Sequence, residues 1–353
     1  MEKTFEIGGR SFVLDQDKAE EAFAAKKVIN GRKTEAFNLL PLKYTWAYDL
    51  YHELKAAHWS PFGQEFADTV ARDREAGAIG DLYELIETAI GFFAPGKVSP
   101  DSALNDLIRE KVTAPELKLV LGRRSHEETL ATDCFLFLSD RLRIDPVDCL
   151  QRFEGLPSVS AIRVSAREIG RSLDRTTELD TLANQQAFAR AVFFLGACFK
   201  GVQFHSLFLA LNRTSEEDRL PATTGILRRR LHDESRLVEF FRRLFLKLIE
   251  ENPEVRTTDF EETLVDLMVG TLERERAFAR ESLALRAAGI DEGSLFRDIE
   301  AIAAQRLADY GLTSPFSTPP GALSRGTEHR FARDFTRLTE FPAIDLDVDD
   351  NDL

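Results

Sequence analysis

An all-α bundle is the fold class that this 353-residue chain predicts, and three observations carry it. From residue 43 onward, nearly every segment repeats its apolar residues at helical spacing. Two long segments, ELKLVLGRRSHEETLATDCFLFLSDRL and NQQAFARAVFFLGACFKGVQFHSLFLALN, are apolar on most faces, the mark of helices central to a bundle. The joints are short and punctuated, as at Asp145-Pro146 and Asn252-Pro253, and nothing between them suggests a parallel sheet.

Residues 1–42 read as an irregular lead-in with a short hairpin around Gly8-Gly9 in FEIGGRSFVLD. The first bundle helix is YTWAYDLYHELKAAHW, where Trp46, Leu50, Leu54 and Ala57 share one face. AIGDLYELIETAIGFFA and the two central segments follow, then SRLVEFFRRLFLKLIEE and FEETLVDLMVGTLERERAFARESL. From about 312, TSPFSTPPGALSRG is a Pro/Gly/Ser-rich leash, followed by a basic-aromatic run and the acidic end AIDLDVDDNDL, which is expected to be disordered. The expected organisation is a lead-in (1–42), one helical domain (43–311) and a leash with an acidic tail (312–353).

The chain carries 46 Lys and Arg against 60 Asp and Glu, net −14, which argues against nucleic-acid and anionic-membrane partners. The three cysteines, Cys134, Cys149 and Cys198, lie in apolar surroundings without metal-ligand spacing and read as buried reduced thiols. Neither a secretory leader nor an uninterrupted apolar run of membrane-spanning length is seen, so a cytoplasmic location is expected.

Four segments carry the chemistry: FFAPGK (92–97), RRSHEETLATDCF (123–135), ACFKGVQF (197–204) and LHDESRLVEFF (231–241). Di-iron carboxylate bundles draw one Glu from each of two helices and a Glu-x-x-His from each of the other two. Together with VINGRKTEAFNLLPLKYTWAYDLYHELKAAHW near the start, TAPELKLVLGRRSHEETLATDCFLF, HDESRLVEFF before IEENPEV, and TRLTEFPAIDLDVDD at the end, the chain resembles the small, radical-harbouring subunit of class I ribonucleotide reductase, of the ferritin-like fold. The matching segments occur in the family's order, with 31 residues from Lys97 to Glu128 and 34 from Lys200 to Glu234.

The resemblance implies six metal-ligand positions: an acidic residue at 97, Glu at 128, His at 131, Glu at 200 and 234, and His at 237. This chain has Lys97, Glu128, Ala131, Lys200, Glu234 and Leu237, so two of the six are kept. A protonated lysine has donors and no acceptor, and Ala and Leu offer nothing, so no metal and no cofactor are expected. Two lysines opposite two glutamates sum to zero charge, which predicts Lys–Glu bridges in place of the two cations. Phe92, Phe93, Phe199 and Phe204 flank the lysines and favour burial over snorkelling.

The resemblance also implies a radical route. The radical tyrosine of most of the family would fall at Phe135, and the C-terminal relay tyrosine at Phe341; a phenyl ring has no O–H for proton-coupled transfer. Trp59 and Asp233 match the family's path tryptophan and its aspartate partner, and have an equally good reading as an indole N–H satisfied by a buried carboxylate. His126 faces a different side from Glu128 and reads as packing, and His205 reads as a core histidine. No Ser-His-Asp grouping, P-loop or GxGxxG is present.

The expected function is a non-catalytic structural or regulatory partner in deoxyribonucleotide synthesis. It would act as a homodimer or as a heterodimer with an intact small subunit, docking on the large subunit through its acidic tail. The alternative is an active, metal-independent ribonucleoside-diphosphate reductase beta subunit with a non-standard radical site, Trp59 or a displaced tyrosine. Whether the chain is an enzyme in its own right stays open, and self-sufficient activity is not expected.

Overall fold

Where the helices of this chain begin is decided by how their first N–H groups find acceptors, since these have no partner within the helix. The computed structural model describes residues 2–7, 10–32, 39–62, 64–75, 80–94, 100–216, 220–282, 289 and 291–322. Strands β1 (Glu2–Ile7) and β2 (Arg10–Asp15) pair antiparallel with Ile7 opposite Arg10, the hairpin predicted around Gly8-Gly9. Helix α1 (Gln16–Ala25) follows, inside the segment expected to be irregular; its Ala- and Glu-rich sequence is a good helix former.

The bundle comprises α2 (Thr45–Ala56), α3 (Gln64–Glu75), α4 (Tyr83–Phe92), α5 (Pro100–Lys111) and the long α6 (Pro115–Leu142). Then come α7 (Pro146–Glu154), α8 (Pro157–Arg171), α9 (Leu182–Phe193), α10 (His205–Glu216), α11 (Pro221–Glu251), α12 (Thr258–Glu281) and α13 (Glu292–Asp309). Helix α6 packs against α2, α3, α4, α5 and α11; α11 packs against α9 and α10, and α12 against α8 and α13. Gly91 lets α4 close on α7, where a Cβ would meet the Cys149 carbonyl and Phe153. The all-α class read from the apolar spacing is the fold found, with the hairpin appended.

The segment read as one continuous helix from 184 to 212 is broken. After α9 the chain widens into a π-helical stretch (Phe194–Phe199), in which Lys200 N–H donates to the Leu195 carbonyl at 3.1 Å. It then turns through 200–204, with Phe204 at φ +67° in the left-handed region. Gly196 lies at a close approach, where an added Cβ would collide with Phe241 and the Tyr310 hydroxyl.

What holds the break is Glu275, on α12 and fully buried. Its carboxylate accepts from Ser206 N–H (2.7 Å), Ser206 Oγ (2.6 Å), Phe204 N–H (2.5 Å) and Gln203 Nε2 (2.9 Å), capping α10 from another helix. Two more helices are capped at long range: Asp73 accepts from Thr223 N–H at 2.7 Å at the start of α11, and Glu281 from Ser158 N–H at 2.8 Å at the start of α8. Local caps serve elsewhere, as where Asp145 accepts from Val147 N–H at 2.7 Å and Asp291 from Ser294 N–H at 2.8 Å.

The stretch before α2 is strapped down by buried charge. Lys26 Nζ donates to the Leu39 and Pro41 carbonyls (2.7 and 2.6 Å) and to Glu116 Oε1 (2.9 Å). Tyr44 Oη and Val28 N–H donate to Glu251 at 2.6 and 2.8 Å. All three cysteines are buried and none is in a disulfide, and burial pushes the Cys149 and Cys198 thiols up to about 12, as expected of inert core thiols. Among the described residues, no helix is long and apolar enough to cross a membrane.

Two measurements check this account. Gly196→Ala is expected to cost about 2 kcal/mol through overpacking, seen as a fall of several degrees in Tm; an unchanged Tm would show that the approach is loose. Burial pushes the Glu275 carboxyl up to about 7 against the four hydrogen bonds that lower it. A raised folded pKa means that the folded chain holds the proton longer than the unfolded one. The associated stability is complete below the ordinary Glu range and is lost as pH rises through about 7. Between pH ~5 and ~8 this amounts to about 2 kcal/mol, and Glu275→Gln should flatten that slope in denaturant titrations. An unaltered slope would contradict the assignment.

Candidate functional site

Positions 128, 131 and 135 lie at i, i+3 and i+7 on α6 and therefore share a face. Glu128 is the first of them, and its carboxylate is occupied. Arg124, one turn earlier and 1% exposed, donates Nη1 to Glu128 Oε1, while Ser102 Oγ on α5 donates to Oε2 at 2.7 Å. Arginine presents its donors in a rigid fork suited to a carboxylate, and the i, i+4 spacing brings the two groups together. The cation opposite Glu128 is thus an arginine that the sequence reading did not single out. The neighbouring pair repeats the pattern, with Arg123 Nη2 2.8 Å from the buried Glu127 Oε1.

Ala131 is partly buried against the core, and Phe135 is 6% exposed. Leu237 on α11 is fully packed, with 1% exposure. Lys200 closes the π-helical stretch and is 8% exposed, so it does not snorkel. The flanking rings form one cluster: Phe204 packs against Phe92 (5.0 Å between centroids), Phe199 (5.9 Å) and Phe278 (4.9 Å). Trp59 is buried just beyond α2. Lys97, Phe341 and the acidic tail lie outside the described residues. Asp233 and Glu234 fall on α11, with their side chains outside the described residues as well.

Three further features were not anticipated. Tyr310 is completely buried against the π-helical stretch, ringed by Phe193 and Phe245 at 5.0 and 5.1 Å, and its hydroxyl has no hydrogen-bond partner among the described residues. Burial raises its pKa above the ordinary phenol value. His126, exposed on α6, stands with Nε2 3.5 Å from Nδ1 of His58; partial burial, Arg123 and His58 lower its pKa. His205 is the core histidine expected, with burial lowering its pKa to about 3. Finally, a groove of about 630 Å³ runs between α2, α5 and α6, lined by Lys55, Arg109, Lys118 and Arg123 against Glu110.

As a donor set, the residues present do not fit a two-metal centre. Ala131 and Leu237 supply no imidazole, and Glu128 is already bound by a guanidinium and a hydroxyl. Among the described residues, no three His, Cys, Asp or Glu side chains are grouped so that they could hold a metal ion. The arginine signal was present in the sequence as Arg124 four residues before Glu128, but RRSHEE looks like a solvated face. Nothing local marks the π-helical stretch or the buried Tyr310.

A sequence model of the ribonucleotide reductase small chain matches residues 36–321. The ribonucleoside-diphosphate reductase subunit beta of Chlamydia pneumoniae is 23% identical over 336 residues, spanning 93% of this chain and 96% of that protein. The ribonucleotide reductase R2 subunit of Clostridium botulinum superposes with a TM-score of 0.68 at 19% identity, over 82% of this chain and 89% of that one. The Rnr4 homodimer of Saccharomyces cerevisiae gives a TM-score of 0.60 at 17% identity, over 86% and 92%. At such identities the structural likenesses speak for the fold, a ferritin-like bundle of the small-subunit type. The match of the family model across most of the sequence goes further: the chain belongs to the ribonucleotide reductase small-chain family.

Proposed function

We propose that this chain is a small-subunit-like protein whose former metal site is held by its own charges. On this reading it acts as a non-catalytic structural or regulatory partner in cytoplasmic deoxyribonucleotide synthesis. The observation that supports this most is Glu128: the retained ligand position is bound to the buried Arg124 and to Ser102, beside Ala131. Lys200 and Lys97 supply the remaining positive charge, with Glu234 as the second anion. Trp59 and Asp233 act as a structural pair holding two helices together, and Phe135 and Phe341 leave the family's tyrosine positions without a phenol.

The partners follow from the family. The acidic tail docks on the large subunit, with Phe341, Ile344, Leu346, Val348 and Leu353 as apolar anchors among solubilising acids. The bundle pairs with a second small subunit, either its own copy or an intact one; a homodimeric solved neighbour supports a dimeric form. A second reading, a metal-independent radical subunit, draws support from one observation, the buried hydroxyl of Tyr310 beside the π-helical stretch, which has no hydrogen-bond partner among the described residues.

Binding and turnover with the large subunit test the proposal. The full chain is expected to bind it, and a chain lacking 342–353 to lose that binding without a change in Tm; undiminished binding would remove the tail from the docking role. Reduction of a ribonucleoside diphosphate should require an intact small subunit in the same mixture, and turnover without one would overturn the non-catalytic reading. Lys200→Met, which takes away one cation of the buried set, should cost about 3–5 kcal/mol. Unchanged stability would show that Lys200 balances no buried charge.

A further inference from the structure

The basic groove borders the site segment at Arg123 but contains neither Glu128 nor its partners Arg124 and Ser102. In a chain of net charge −14, its lining sets four cations against one carboxylate. They come from three helices: Lys55 from α2, Arg109 and Glu110 from α5, and Lys118 and Arg123 from α6. Lys55 and Arg109 are exposed, while the partly buried Tyr51 and Leu119 add apolar surface and Gly122 leaves its backbone bare, with nothing within 4 Å of an added Cβ. Several cations have neighbours on their own side of the surface. Arg109 lies 3.6 Å from Asp106 and Arg123 2.8 Å from Glu127, while Glu110 is drawn to Arg175 at 3.3 Å. The exposed ones among these pairs are weak and readily exchanged for a better partner.

We infer that the groove is the resting place of this chain's own acidic tail, residues 344–353. The segment IDLDVDDNDL carries Asp345, Asp347, Asp349, Asp350 and Asp352. In an extended conformation, side chains alternate between faces, so Asp345, Asp347 and Asp349 fall on one side and Leu346 and Val348 on the other. That is the mixture that a groove of spread cations with Tyr51 and Leu119 receives. Glu110 would repel a compact polyanion, whereas carboxylates spaced along a strand can pass it. Reach is ample: the 23 residues from Ala322 to Asp345 extend to about 75 Å, against a radius of gyration of about 20 Å for a body of this size. A tethered segment also meets its site at millimolar effective concentration, so weak pairs suffice. The docked tail is withheld from other partners until one competes for it. This inference stands apart from the proposed large-subunit docking, because it concerns the chain by itself.

Carbodiimide coupling of the full-length chain, read by mass spectrometry, tests it. Amide links are expected between Asp345–Asp352 and Lys55 or Lys118. Their yield should fall about fivefold in Arg109→Glu, the effect of reversing one exposed charge. It should fall likewise at about 0.5 M salt, where screening shortens to about 4 Å. Tail carboxylates linked evenly to lysines over the whole surface, or to none, would overturn the inference. In an equal mixture of isotopically light and heavy chain, self-docking predicts no light–heavy links; light–heavy pairs making up about half of the links, the statistical share for contacts between copies, would assign the groove to a second copy and overturn self-docking.

Discussion

The carboxylates buried inside this bundle are matched by the chain's own cations and N–H donors, and the rest of the architecture depends on that matching. An uncompensated charge in such a place costs several kcal/mol, enough to consume much of a domain's net stability. Glu116 is met by Lys26, Glu87 by Arg152 at 2.5 Å, and Glu275 by four donors around the turn at Phe204. Glu128, though only half-buried, is met in the same way, by the buried Arg124. Its partners are Arg124, one turn earlier on α6, and Ser102, on the packed helix α5. On the proposed reading, a histidine placed at 131 would not restore a site, because the Glu128 carboxylate is already engaged.

Long-range carboxylate caps explain how helices this apolar are given fixed ends. Asp73, Glu275 and Glu281 each close the first turn of a helix remote in sequence, so helix starts and helix packing are set by the same contacts. The consequence is strongest between α9 and α10. Gly196 admits Tyr310 and Phe241, the π-helical stretch absorbs the extra residue, and Glu275 pins the chain as it turns. Lys200 is buried where this stretch ends, at the closing position of the π-helical turn.

Much of the fold was legible in the sequence because α6, α11 and α12 carry their apolar residues at helical spacing, and Asp145-Pro146 spells out a helix start. The hairpin was legible from two alternating runs around Gly8-Gly9. The break at Phe204 was not, because its cause is Glu275, 71 residues away, and FFLGACF is equally apolar as an α- or a π-helix. At the site, the apolar character of Ala131 and Leu237 could be read directly, and both pack into the core. The identity of the countercharge on Glu128 could not: an arginine in a charged run looks solvated until the packing of α5 against α6 buries it.

Metal content and an X-band electron paramagnetic resonance spectrum, on full-length protein purified from its native host, test the central claim most directly. Glu128 already bound by Arg124 and Ser102 predicts no stoichiometric metal and no radical signal. Stoichiometric metal would contradict the account of the site. An organic radical without metal, lost in Tyr310→Phe, would contradict the non-catalytic role and make the buried phenol the radical site.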